Sequence, residues 1–304
     1  MPVYLEVASQ ALVLIFVLST LFNVGLLVSA RKVLVALQQR RWVAVALCAN
    51  FVVLPGAALA LGWWLQLAPP MQAALLLVAT APGSPVMLRL NEFARGDQAK
   101  AVGLLVLLTS LTMVYQPLVL PMLLPGLSVS PMPIARTLVL TVLLPLVLGL
   151  LLKARWPALA ARLRRTMSWL GNISAALVVI VLPLVYLDDL PEVALNGGGL
   201  LVLLLYLPPA IGAGWWLGGP DADKRRLLAL CCGQGNMGAA FVIAAQNFNN
   251  PLVIAMLLLI LYVSLAMLIP LAWVFRRQSL GDAGDLGEAG DSARPPSPAA
   301  IPRP

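Results

Sequence analysis

Apolar residues run along most of this chain in blocks, parted by short polar interruptions. A membrane-crossing helix needs about 20 mostly apolar residues. By that measure nine segments qualify: residues 8–29, 42–62, 71–93, 98–123, 133–153, 167–187, 197–218, 224–247 and 251–275. The pattern predicts an all-α integral membrane fold with nine transmembrane helices. Two of the blocks are broken near the middle. The third reads MQAALLLVATAPGSPVMLRLNEFA, with Pro82, Gly83 and Pro85 half-way along; the eighth contains CCGQGNMGAA, with Gly233, Gly235 and Gly238. Proline removes a backbone donor and collides with the preceding turn. Irregular backbone at membrane depth is tolerated only where protein buries it or where it lines a wet cavity.

The two breaks lie five helices apart, an odd separation, so one broken helix runs inward and the other outward. Helices 1–4 and 6–9 therefore pair as inverted repeats, each with its third helix discontinuous. This is the plan of secondary transporters that bind their solute at the midplane between broken helices. Helices 3 and 8 are expected to cross there, with Gly83–Pro85 close to Gly233–Asn236. The second half-helices begin near Pro85 and near Met237, and their positive N-terminal ends favour an anionic ligand.

Charge sharpens this picture. Only 11% of the 304 residues are charged against 61% hydrophobic, and the net charge is +8. The basic residues gather in alternate loops: Arg31, Lys32, Arg40 and Arg41; Arg95 and Lys100; Lys153, Arg155, Arg162, Arg164 and Arg165; Lys224, Arg225 and Arg226; then Arg276 and Arg277. Loop 6 is acidic (Asp188, Asp189, Glu192), and Arg136 alone lies on the other side. The positive-inside rule then places the N-terminus outside, the C-terminus in the cytoplasm and the chain in the cell membrane. The positive charge records topology, and no nucleic-acid partner is expected. The start, MPVYLE, has no Lys or Arg, unlike a signal peptide. Residues 1–277 form the transmembrane domain, and 278–304, rich in Gly, Asp and Pro, are expected to be a disordered cytoplasmic tail. Trp63, Trp64, Trp215 and Trp216 at helix ends read as interfacial belts.

There is no histidine, no intramembrane pair of carboxylates and no phosphate-binding Gly-Lys loop. An enzyme and an ATP-driven pump are thereby disfavoured. Cys48, Cys231 and Cys232 lie in apolar segments and suggest no disulfide framework.

The segment APGSPVMLRLNEFARGD resembles the Cys-Pro-Gly-Gly-Thr-Ala-Ser-Asn stretch of the bile acid:sodium symporter family, which ends in Ala-(Lys/Arg)-Gly-(Asn/Asp). GQGNMGAA is similar to that family's Gly-x-Gln-Asn-x-Gly segment, and Pro117 and Pro121 fit its proline-rich helix end. The likeness covers roughly residues 8–275 and implies a panel of helices against a core, with the broken helices crossing in the core. It also implies departures. The family's sodium-binding Ser-Asn pair falls on Met87 and Leu88, its sodium-binding Glu on Cys231 and the following Gln on Gly235. Asn50 stands where the family has a Gln, and Asn236 matches its Asn beside the substrate.

Eleven of the twelve acidic residues lie in loops or tails; only Glu92 is inside a span, with Arg89 spaced to pair with it. Hard cations want oxygen ligands, often a carboxylate, and the midplane offers only amides, hydroxyls and carbonyls. The candidate substrate contacts are Gln234, Asn236, Thr80, Ser84, Asn50, Thr109 and Gln116, while Ser110 and Thr112 add to the polarity of helix 4. Arg89 and Glu92 are candidates for ion coupling, since charge within a span is functional by default. Asn23 and Asn172 read as glue between helices. The expected function is secondary transport of a small organic anion by alternating access, in a lipid bilayer, with no cofactor beyond Na+ or H+ as a coupling ion. The alternative is a non-transporting sensor or scaffold on the same fold. Nothing in the pattern assigns an oligomeric state.

Overall fold

A computed structural model describes residues 3–27, 39–124, 131–248 and 250–292, with side chains described between Ala8 and Leu280 of those ranges. Among the described residues there is helix and no strand. The helices are α1 (Val3–Leu27), α2 (Arg40–Trp64), α3 (Pro69–Ala79), α4 (Pro85–Phe93), α5 (Gln98–Leu123), α6 (Pro131–Arg155), α7 (Pro157–Val185), α8 (Gly199–Leu217), α9 (Ala222–Cys232), α10 (Met237–Asn247) and α11 (Pro251–Ser292). Among the described residues eight candidate spans are long and apolar enough to cross a bilayer, α9 and α10 counting together as one. The expected third helix falls outside that count because it is divided into α3 and α4, 11 and 9 residues long.

α1, α6 and α7 pack on one another as one layer, and α3, α4, α9, α10 and α11 pack together beside them. Large apolar side chains such as Leu148, Leu151, Ile180, Leu184, Leu201 and Leu204 stand exposed around the outside, as a lipid-facing surface requires. α9–α10 differs from the other spans: 94% of its apolar window is buried in protein, against 50% or less elsewhere. That burial is what allows its backbone to break.

Two helix boundaries differ from expectation by ten residues or more. α7 starts at Pro157, ten positions before the expected 167, and only Trp156 parts it from α6. Pro157 supplies a preset first helical residue, and Arg162, Arg164 and Arg165 lie on exposed positions of a helix rather than in a loop. The last helix does not end at 275 but continues to Ser292, so the helical part extends into the segment expected to be disordered from 278. Ser279 is packed onto the core: its hydroxyl donates to Ala94 O (3.1 Å) and accepts from Arg226 (2.8 Å). Residues 293–304 lie outside the described residues.

Three prolines inside spans, Pro55, Pro145 and Pro183, are provided for locally. A proline ring at position i collides with the carbonyl at i−4 and leaves it without its helical donor. Ahead of Pro55 the helix widens into a π turn, Ala49–Val53, where Leu54 N–H reaches back to Ala49 O. The freed carbonyl of Phe51 accepts from the Tyr115 hydroxyl of α5 at 2.5 Å, and the two rings meet edge-on at 4.8 Å. The same device serves Pro183, whose i−4 carbonyl, Val179 O, accepts from the Tyr262 hydroxyl of α11. A second π turn, Val139–Leu143, precedes Pro145. Tyr115→Phe should therefore leave Phe51 O unpaired and cost about 1–2 kcal/mol. Thermal unfolding of the purified protein checks this, and an unchanged midpoint would mean that the carbonyl needs no partner.

At the membrane end where α5 and α9 begin, Asp97 and Asp221 act as N-caps and are joined by one lysine. Asp97 accepts from Ala99 N–H (2.8 Å) and Lys100 N–H (3.1 Å), and Asp221 accepts from Lys224 N–H (3.2 Å). Lys100 Nζ lies 3.6 Å from Asp97 and 3.5 Å from Asp221. Burial pushes the Asp221 carboxyl upward, but the Lys224 amide and the Lys100 and Lys224 ammonium groups outweigh it and hold its pKa below the ordinary carboxylate value.

Candidate functional site

The two breaks meet. The main-chain N–H of Asn236 donates to Ala81 O at 2.7 Å, so one interruption bonds directly to the other. α3 packs on α10 and α4 on α9. Glycine makes the approach possible: a Cβ on Gly235 would stand 2.7 Å from Val78 O, and Gly83 takes a φ of +90° with Thr109 packed against it.

Each second half-helix opens with a side-chain cap. Ser84 Oγ accepts from Val86 N–H (3.3 Å), with Pro85 as the first helical residue, and Asn236 Oδ1 accepts from Ala239 N–H (3.1 Å). Both N-termini, and both capping residues, line one cavity of about 270 Å³ between α1, α7, α4 and α10. Its remaining wall is largely apolar and includes Phe16, Val17, Val178, Phe241, Leu261 and Leu265. The cavity shares Phe16, Thr20, Pro85, Val86 and Ala175 with a second, more polar one of about 430 Å³, which Asn23, Arg89, Glu92, Arg164, Ser168 and Asn172 also line.

Beside the two breaks lies a third space of about 20 Å³, enough for one water-sized occupant. It is lined by Asn50, Gln234, Cys231, Cys232 and Ser264 among apolar neighbours. Asn50 donates to Ala46 O (2.9 Å), and its amide meets both thiols, Cys232 Sγ at 3.8 Å and Cys231 Sγ at 3.7 Å. The buried Oε1 of Gln234 has no hydrogen-bond partner. The residues around this space carry neutral donors and acceptors, and Met87 and Leu88 are buried apolar side chains. A hard cation here would meet amide and main-chain oxygens without a carboxylate.

The sequence-derived candidates thus separate into three groups. Asn236 and Ser84 face the 270 Å³ cavity, and Asn50 and Gln234 face the small space. Thr80, Thr109 and Gln116 line none of these cavities; they sit buried behind the first break and serve its backbone. Thr109 donates to Gly83 O (3.2 Å), Thr112 to Pro82 O (3.2 Å), Gln116 to Leu77 O (3.0 Å) and Thr80 to Leu76 O (2.7 Å). The polar face of α5 supplies the donors that the broken helix lost.

Arg89 and Glu92 both reach the 430 Å³ cavity, yet no ion pair within 4 Å joins them. Arg89 donates across to α7, to Asn172 Oδ1 (2.9 Å) and Ser168 Oγ (3.2 Å). Asn172 does join helices, through this arginine. Thr20, Arg164 and Ser168 line the cavities without having stood out in the sequence. Thr20 follows Ser19 in a mostly apolar helix, and Arg164 belongs to a basic run that topology already explains.

Two discontinuous helices bonded at their breaks, beside a cavity at their half-helix ends, within an apolar helical body, define a multi-pass membrane protein of the transporter type. A model of the sodium bile acid symporter family matches residues 11–188, more than half of the chain, and the chain belongs to that family. It is similar to the probable sodium/metabolite cotransporter BASS2, chloroplastic, of Oryza sativa subsp. japonica, with 25% identity over 225 residues. That alignment covers 69% of this chain and 51% of the rice protein, so the chain spans about half the length of the curated relative it matches.

Proposed function

We propose that this protein is a secondary transporter of small organic anions, working by alternating access in the cell membrane with the basic loops on the cytoplasmic side. The observation that carries the reading is the single 270 Å³ cavity on which both half-helix N-termini open, with Ser84 and Asn236 at its edge. The positive ends of α4 and α10 favour negative charge there, and the apolar wall suits a hydrocarbon body. Secondary transporters of this plan bind at such crossings, and family membership supports the same class. Access on the basic side runs through the 430 Å³ cavity.

Sodium coupling is weak or absent in this proposal. Where the resembling symporters place a carboxylate, this chain has Cys231, whose thiol is buried against Asn50. An ion stripped of water at midplane depth then gains only neutral dipoles, too little to offset dehydration. The driving force is the anion's own gradient or protons. The test is uptake of radiolabelled monocarboxylates into proteoliposomes, in sodium and in choline at matched ionic strength. Equal uptake in the two media is expected. A steep, saturable sodium requirement would refute the coupling claim while leaving transport in place, and absence of uptake in either medium would favour a sensor or scaffold.

A further inference from the structure

We propose that Arg89 is the residue that recognises the acid group of the substrate, and that the ligand is an organic monoanion with an apolar body. The inference rests on the anion-transport reading and names the end of the cavity where the charge sits.

Arg89 lies one turn after Pro85 on α4, so the positive first turn of the half-helix and the guanidinium face the same connected cavities. Arg89 is exposed, so its guanidinium is open to an incoming ligand. Both of its hydrogen bonds, to Asn172 Oδ1 at 2.9 Å and Ser168 Oγ at 3.2 Å, leave from one terminal nitrogen. The acceptors sit on α7, which holds the plane of the group across the cavity. Among the described residues the remaining donors of the planar fork have no protein partner, and such a fork matches a carboxylate or sulfonate with two parallel bonds. Glu92 does not neutralise it, since no ion pair within 4 Å joins the two. Asn23 gives an independent sign of a polar ligand: it lines the same cavity, is only 7% exposed, and its carbonyl oxygen has no partner. That acceptor suits a hydroxyl or amide donor on the same molecule.

The neighbouring 270 Å³ cavity takes the rest of the ligand between Phe241, Leu261 and Leu265. Charge balance sets the valence. Among the described residues the charged groups on the polar cavity are Arg89, Arg164 and Glu92, two guanidiniums against one carboxylate, which suits one negative charge better than two.

The test uses the full chain in lipid nanodiscs, with thermal stabilisation titrated by isovalerate, cyclohexanecarboxylate and 3-phenylpropionate, their amides, and cyclohexane-1,4-dicarboxylate. The monocarboxylates are expected to stabilise the protein, the amides and the dicarboxylate much less. Arg89→Gln should weaken the carboxylate response about 10-fold or more, and Arg89→Lys should keep part of it. Asn172→Asp, which hands Arg89 an internal carboxylate, should also weaken the response while the unliganded midpoint holds or rises. An Arg89→Gln protein that responds like wild type, or amides that match their acids, would overturn the assignment. If the response survives Arg89→Gln but is lost in Asn236→Ala, Arg89 is dismissed and anion transport stands. A wild type unmoved by every probe removes both.

Discussion

Replacing Gly83 by alanine is expected to destabilise the protein by about 3 kcal/mol and to abolish its response to anions. Two costs combine. The residue sits at φ +90°, a conformation that side chains resist. A Cβ there would also stand 2.7 Å from Thr109 Oγ1 and 2.9 Å from Thr109 N. The hydroxyl can rotate away, at the loss of its 3.2 Å bond to Gly83 O, but the main-chain nitrogen cannot. Relief requires the first break to move off α5, which carries Ala81 away from Asn236. Gly56→Ala is the matched control. A Cβ at Gly56 meets nothing within 4 Å, and the change should be neutral or stabilising by up to about 1 kcal/mol. Unfolding midpoints of the two variants decide the matter, and similar values would mean that the break is more pliable than its contacts imply.

The second large effect lies where α1 passes α6. A Cβ on Gly25 would stand 2.9 Å from Gly149 Cα and collide with Leu146 O; one on Gly149 would stand 3.0 Å from Gly25 Cα and collide with Phe22 O. Here two backbones touch, and within a bilayer such close approach is the main source of helix association. Gly149→Ala should cost about 2–3 kcal/mol, because backbone cannot step aside as a side chain can. Gly25→Ala should cost a similar amount. The double variant should fall short of the sum, since helices already separated by one methyl accommodate the second. Unfolding of the three variants, with Gly212→Ala as a control that meets nothing within 4 Å, tests this. Strict additivity would show that each glycine serves a different neighbour.

The parts of the fold written in hydrophobic blocks were legible. α5 begins and ends at residues 98 and 123, as the apolar run dictates, and both interruptions stand where proline and glycine mark them. Composition by itself misjudged the start of α7. Arginines 162, 164 and 165 resemble a loop in a hydropathy profile, but long basic side chains can sit on a helix at the interface and reach water. The site was half legible. That Ser84 and Asn236 cap the two half-helices follows from their places beside the breaks. Thr80, Thr109 and Gln116 look like the same sort of residue, yet they face the other way, toward carbonyls of the backbone. A polar residue in a membrane helix must find a partner, and whether the partner is solute or main chain depends on rotation about axes that a sequence does not display. Arg89 shows the same limit at longer range. Its neighbour Glu92 is three positions away, but its partners are 79 and 83 positions away on α7.

The bond between the two interruptions is made by main chain on both sides, Asn236 N–H to Ala81 O. Proline alone is ruled out chemically at position 236, which must donate an N–H, while position 81 supplies only a carbonyl. The bond therefore uses no side-chain atom, although the close approach that permits it depends on Gly83 and Gly235. The side chains of Cys231, Met87, Leu88 and Asn50 take no part in that bond. Ligand chemistry beside such a bond can change by mutation wherever no close backbone contact is disturbed.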